Sequence, residues 1–148
     1  MVKEKNNKKD DSNDLPLVLL VDDEPMNIEV IKAMLQEHPV KLDICINGQQ
    51  ALDAIKERVR RVTQEGCKMY KVILLDYSMP DMDGPQVAIE LRHMLQRAGL
   101  QIPYICCCTA YSEASYKKNA LAVGMDQCIS KPVSYNELIT ILSLVNDD

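Results

Sequence analysis

Apolar residues collect in five short runs along the chain: Leu17–Val21, Leu42–Ile46, Val72–Leu75, Tyr104–Cys108 and Gln127–Ser130. Each is four or five residues long and mostly unbroken by polar positions. Such runs suit strands buried on both faces, as in a parallel sheet. Between them the period lengthens to that of a helix. Ile28, Ile31 and Leu35 share one face, and Leu52, Ile55, Val59 and Val62 share another. Val87, Leu91, Met94, Leu95 and Ala98 form a third stripe. A fourth, weakly amphipathic helix is predicted over Ser112–Val123, and a fifth carries Leu138, Ile141, Leu142 and Val145. Pro25 and Pro85 suit first helical turns. Gly66, Gly99 and Gly124 fall where helices should stop, and Ser134-Tyr135-Asn136-Glu137 has the form of a capping box. The order β-α, five times over, predicts an α/β domain with a doubly wound five-stranded parallel sheet between two helical layers.

Composition narrows the picture. Of 148 residues, 47% are hydrophobic and 26% charged, close to globular averages. With six Tyr and no Phe or Trp, the core must be built from Ile, Leu, Val, Met, Ala and Cys. Residues 1–14 hold four Lys and four acids and almost nothing apolar, and read as a polar tail or linker before a domain over 15–148. A net charge of −5 argues against a nucleic-acid partner. No run approaches the ~20 apolar residues of a membrane helix. The start of the chain lacks the apolar core of a secretory signal, so a cytoplasmic location is expected. The six cysteines then read as reduced packing residues. Cys106, Cys107 and Cys108 are consecutive, so they cannot all face one metal ion.

In open parallel sheets, ligands sit beyond the carboxyl ends of the strands. Asp22 and Asp23 follow the first predicted strand, Asp76 the third, Thr109 and Ala110 the fourth, and Lys131 and Pro132 the fifth. Three carboxylates on one rim repel one another, and a divalent cation relieves the conflict. A small set of hard oxygen ligands suits Mg2+, with Mn2+ as a substitute, better than zinc or copper. The cation, the ammonium and the hydroxyl together suit a tetrahedral phosphoryl group, with main-chain N–H donors after the third and fourth strands. A carboxylate there can itself accept the phosphoryl group as an acyl phosphate.

These residues carry a resemblance. Val21-Asp22-Asp23-Glu24-Pro25, Leu74-Leu75-Asp76-Tyr77-Ser78-Met79-Pro80 with Met82-Asp83-Gly84, Thr109-Ala110 and Ser130-Lys131-Pro132 occur in order, each after a predicted strand. The chain resembles the receiver domain of response regulators and hybrid histidine kinases in two-component signalling. The resemblance implies a flavodoxin-like (βα)5 fold and phosphorylation at Asp76. It implies Mg2+ held by Asp22, Asp23, Asp76 and the main-chain carbonyl of Ser78. It implies phosphoryl contacts from Lys131, Thr109, Ala110 and the main-chain N–H of Tyr77, with Thr109 as switch and a cis Lys131–Pro132 bond. The partner it implies is a histidine kinase or histidine phosphotransfer protein. A homodimer through the fourth helix, fifth strand and fifth helix is a further expectation, and the polar leader resembles linkers in hybrid kinases. As an isolated domain, the chain would catalyse only its own phosphorylation and dephosphorylation.

Three positions depart from the pattern or tune it. Cys128 stands where receivers commonly place an aromatic. Ser78 and Tyr111 flank the expected path of the hydrolytic water and should set the lifetime of the phosphoryl group. An aspartyl-phosphate hydrolase would need its nucleophile after the first strand in a D-x-D motif, where this chain has Asp22-Asp23. A flavin module would need a Ser/Thr-rich phosphate loop there, and a pseudo-receiver scaffold would lack members of the five-residue set. Asp81-Met82-Asp83-Gly84 reads as a turn, Arg58, Arg60 and Arg61 as a wet helix face, and His38 and His93 as solvated.

Overall fold

The computed structural model describes residues 15–145; the predicted tail over 1–14 and the last three residues lie outside the described residues. Five parallel strands are present: β1 (Leu17–Val21), β2 (Lys41–Cys45), β3 (Val72–Asp76), β4 (Tyr104–Thr109) and β5 (Gln127–Ser130). They pair in the order β2-β1-β3-β4-β5. The helices are α1 (Pro25–Leu35), α2 (Gly48–Glu65), α3 (Gly84–Arg97), α4 (Ala114–Ala122) and α5 (Tyr135–Val145). This is the predicted α/β architecture.

Alternation along the central strands divides their side chains between two cores. Leu17, Leu19, Val21, Ile73, Leu75, Ile105 and Cys107 face Ala51 and Ile55 of α2, Val87, Leu91 and Leu95 of α3, and Ala120 of α4. Val18, Leu20, Val72, Leu74, Cys106 and Cys108 face Ile28 and Ile31 of α1 and Leu138 and Ile141 of α5. Cys107 thus points away from Cys106 and Cys108, and all six cysteines are free thiols. Burial pushes the Cys45 thiol up to about 11 and Cys107 higher still, so both are protonated packing groups at neutral pH.

The structure corrects several expectations. The second strand begins one residue earlier than its apolar run and is an edge strand, paired only with β1, so Ile44 is exposed rather than buried on both faces. The fourth helix starts and ends short of Ser112–Val123. Arg58 is not on a wet face; it is 5% exposed. Its guanidinium lies 5.3 Å over the Tyr70 ring and 3.8 Å from Asp43, which also accepts the Tyr70 hydroxyl at 2.7 Å. Cation–π contact and an ion pair allow the burial of that charge. His38 is half-buried, its Nε2 2.7 Å from the Tyr135 hydroxyl. Gly66 ends α2 in the left-handed region at φ +71°, and Ser134 Oγ caps α5 by accepting from the Glu137 N–H.

The loop after β3 is held from two sides. The Gly84 N–H donates to the Tyr77 carbonyl at 2.7 Å, so the start of α3 folds back against the end of β3. A Cβ at Gly84 would stand 2.5 Å from the Asp76 carbonyl oxygen, which is backbone and cannot yield cheaply. Asp81 reaches across to α2, its carboxylate accepting from the N–H groups of Gly48 and Gln49 at 3.1 and 3.0 Å. Gly84→Ala is expected to cost about 1–3 kcal/mol by overpacking, read as a lower urea midpoint at unchanged slope.

Candidate functional site

Strand order brings the predicted residues to one rim. β1 and β3 are neighbours, so Asp22, one residue past β1, lies beside Asp76, the last residue of β3. One carboxylate oxygen each from Asp22, Asp23 and Asp76 lie within 4.8 Å of one another. Asp22 and Asp76 are buried at 3% and 5% exposure, while Asp23 is open to solvent. Asp22 is oriented by the Glu24 N–H, which donates to its Oδ1 at 2.9 Å. The Lys131 ammonium bridges the pair, 2.9 Å from Asp76 Oδ1 and 3.0 Å from Asp22 Oδ2. Lys131 follows β5 directly, and its N–H donates to the Thr109 carbonyl at 2.8 Å, tying β5 to the end of β4. The Lys131–Pro132 bond is cis.

Electrostatics in this cluster oppose one another. Burial pushes the Asp76 carboxyl up to about 6; the hydrogen bond from Lys131 opposes the rise and the charge of Asp22 adds to it. For Lys131, burial alone would favour the neutral amine, but its hydrogen bonds to Asp76 and Asp22 outweigh that and hold its pKa above the ordinary value. The chemistry of the donor set fits a hard divalent cation. Three carboxylate oxygens converge, one of them exposed, which leaves room for water ligands.

Thr109 is buried at the end of β4, and its hydroxyl oxygen accepts from the Tyr111 N–H at 3.0 Å. Ala110 is exposed on the same rim. The expectation for Tyr77 is revised. Its N–H donates to the Cys108 carbonyl at 2.9 Å, continuing the ladder between β3 and β4, so it is not free to meet a phosphoryl group. The Ser78 N–H is the one directed at the Asp76 carboxylate, at 3.4 Å. Cys128 sits on β5 packed against the core around α4. A groove of about 720 Å³ lined by Met69, Tyr70, Arg92, Tyr104 and Leu144 lies at the amino-terminal ends of the strands and does not touch this rim. The Asp81 cap on α2 is a residue that sequence reasoning took for a plain turn. Its partners lie 32 and 33 positions away, and no local pattern announces them.

The model of the response regulator receiver domain matches residues 18–143. The chain belongs to the response regulator receiver family. This receiver is 33% identical over 133 residues to the signal transduction histidine-protein kinase BarA of Escherichia coli K12, covering 90% of this chain. It is 33% identical over 138 residues to the osmosensing histidine protein kinase SLN1 of Saccharomyces cerevisiae, covering 92% of this chain. The chain spans only 13% and 11% of those two relatives. Among solved structures it is similar to the receiver domain of the histidine kinase CKI1 from Arabidopsis thaliana complexed with Mg2+ and BeF3−. That match has a TM-score of 0.78 and 25% identity, covering 90% of this chain and 91% of that one. It is thus a receiver domain of the two-component phosphorelay type. No helix among the described residues is long and apolar enough to cross a membrane.

The raised Asp76 carboxyl makes a pH prediction for this receiver. The folded chain holds that proton more tightly than the unfolded one, whose carboxyl titrates near 3.8. The contribution to stability is therefore complete below that value and lost as the pH rises through about 6. In chelator, Asp76→Asn is expected to be more stable than wild type by about 1–3 kcal/mol near pH 8. Urea unfolding should show that advantage shrinking towards zero near pH 4.

Proposed function

We propose that Asp76 accepts a phosphoryl group from a phosphohistidine of a histidine kinase or histidine phosphotransfer protein. The observation that carries this reading is the position of its Oδ1. It is buried at the end of β3, 2.9 Å from the Lys131 ammonium, with two more carboxylates close by. An Asp76 oxygen attacks phosphorus in line as the phosphorus–nitrogen bond to the imidazole breaks, leaving an acyl phosphate on Asp76. Lys131 moves its charge from the bare carboxylate to the transferred oxygens. The Ser78 N–H and the Thr109 hydroxyl add donors, and Ala110 leaves space beside them.

Asp22, Asp23, Asp76 and the Ser78 main-chain carbonyl are the residues that would hold Mg2+, with Mn2+ as a substitute of the same oxygen preference. When bound, the cation supplies positive charge that neutralises the crowded carboxylates and the phosphoryl oxygens. The likeness to a receiver complexed with Mg2+ and BeF3− supports this. The unit so described runs over residues 15–148, turns over no substrate other than its own acyl phosphate, and works in the cytoplasm. Its output surface is the face of α4, β5 and α5, where Leu121 and Tyr135 are exposed and a homodimer can form.

Incubation with acetyl phosphate or a phosphohistidine donor and Mg2+ is expected to add the mass of one phosphoryl group. Asp76→Asn and chelator should each abolish the gain; a gain that survives in Asp76→Asn would refute the assignment. Tyr111, two residues past Thr109, is exposed at the rim, and on this reading it shields the acyl phosphate from water. Tyr111→Ala is expected to speed loss of the phosphoryl group several-fold, measured as decay of the phosphorylated mass.

A further inference from the structure

Of the five helices, α4 buries the fewest residues. Its N-cap, Glu113, makes no side-chain cap bond, and Ala120 is the one buried residue along α4. What fastens α4 to the rim is a column of rings. Tyr77, directly after Asp76, meets the ring of Tyr116 on α4 edge-on, centroids 5.0 Å apart. The Tyr116 ring is also stacked on Tyr111, at 4.6 Å and 14° between planes. The Tyr77 hydroxyl accepts from Asn119, one turn along α4, at 3.2 Å. The Tyr111 N–H is bonded to the Thr109 hydroxyl oxygen. The column therefore touches the phosphoacceptor strand at one end and the switch hydroxyl at the other, with α4 gripped between them. Cys128 packs nearby as a small thiol and brings no ring to β5.

We propose that the stack Tyr77–Tyr116–Tyr111 couples the state of Asp76 to α4. The inference rests on Asp76 being the phosphoacceptor. Any movement of the Thr109 hydroxyl towards a phosphoryl oxygen draws the Tyr111 main chain with it, because the two share a hydrogen bond. The Tyr111 ring then slides on Tyr116. Offset-stacked and edge-on ring pairs have distinct preferred arrangements, so the column shifts between them and α4 follows. The Asn119–Tyr77 bond anchors the opposite side, so the response is a tilt or loosening of α4 about the β3 end.

The test uses the full chain with Mg2+ and beryllium fluoride as a non-transferable phosphoryl stand-in. Fluorine NMR reports whether the site is loaded, and amide hydrogen exchange over 114–122 reports α4. In wild type, loading is expected to change α4 exchange about tenfold. Tyr116→Leu should still load, with the α4 change reduced below about twofold, while Tyr116→Phe, which keeps the ring, should restore it. Tyr111→Leu, at a half-exposed position that folding tolerates, reads the same coupling should Tyr116→Leu not fold. A loaded Tyr116→Leu or Tyr111→Leu with the full wild-type response overturns the proposal, as does loss of response in Tyr116→Phe. Failure of wild type to load would instead overturn the reading of Asp76, and the coupling with it.

Discussion

Three carboxylates crowd one rim of the sheet, and a single ammonium holds two of them in place. At separations under 4.8 Å, each like-charged pair repels by roughly 3–4 kcal/mol at an effective dielectric constant of ~20. Lys131 offsets much of this by bridging Asp22 and Asp76. The compensation is incomplete, which is why burial and the neighbouring charge still leave Asp76 raised to about 6. The rim is thus charged but unsatisfied. Such a site gains from a divalent cation and from a phosphoryl group that shares the ammonium. On the proposed reading, the same imbalance that costs stability supplies affinity for both.

The rest of the fold keeps that imbalance from relaxing. Asp22 is fixed by the Glu24 N–H. Gly84 lets α3 close against the backbone of Asp76, and Asp81 ties the loop after β3 to the start of α2. The two cores on either side of β1, β3 and β4 leave little room for the carboxylates to separate. On the far side of the rim, α4 has little apolar burial of its own and leans on tyrosine rings instead. A closely held carboxylate beside a helix with little apolar burial is the arrangement that the proposed switch requires.

Much of this was legible in the residues. The apolar runs located every strand to within a residue or two, because strands buried on both faces carry no polar positions. At β2 they misjudged burial rather than position: its edge place leaves Ile44 exposed, since an edge cannot be told from a centre by its residues alone. Arg58 misled for a related reason. Its helical position reads as surface, and only the approach of Tyr70 and Asp43 from other elements makes its burial tolerable. The resemblance implies a ligand contact for the main-chain N–H of Tyr77, yet β4 continues far enough to claim it.

What the sequence determined by itself was the order of elements and the residue types at each strand's carboxyl end. Both are local properties, set by periodicity and by the positions of Pro, Gly and Asp. The tertiary structure alone decided which carboxylates share the Lys131 ammonium and which main-chain groups remain available. It also decided that Tyr77, Tyr111 and Tyr116 form one column. Those facts depend on strand order and helix placement, so groups tens of residues apart meet only after the chain has packed.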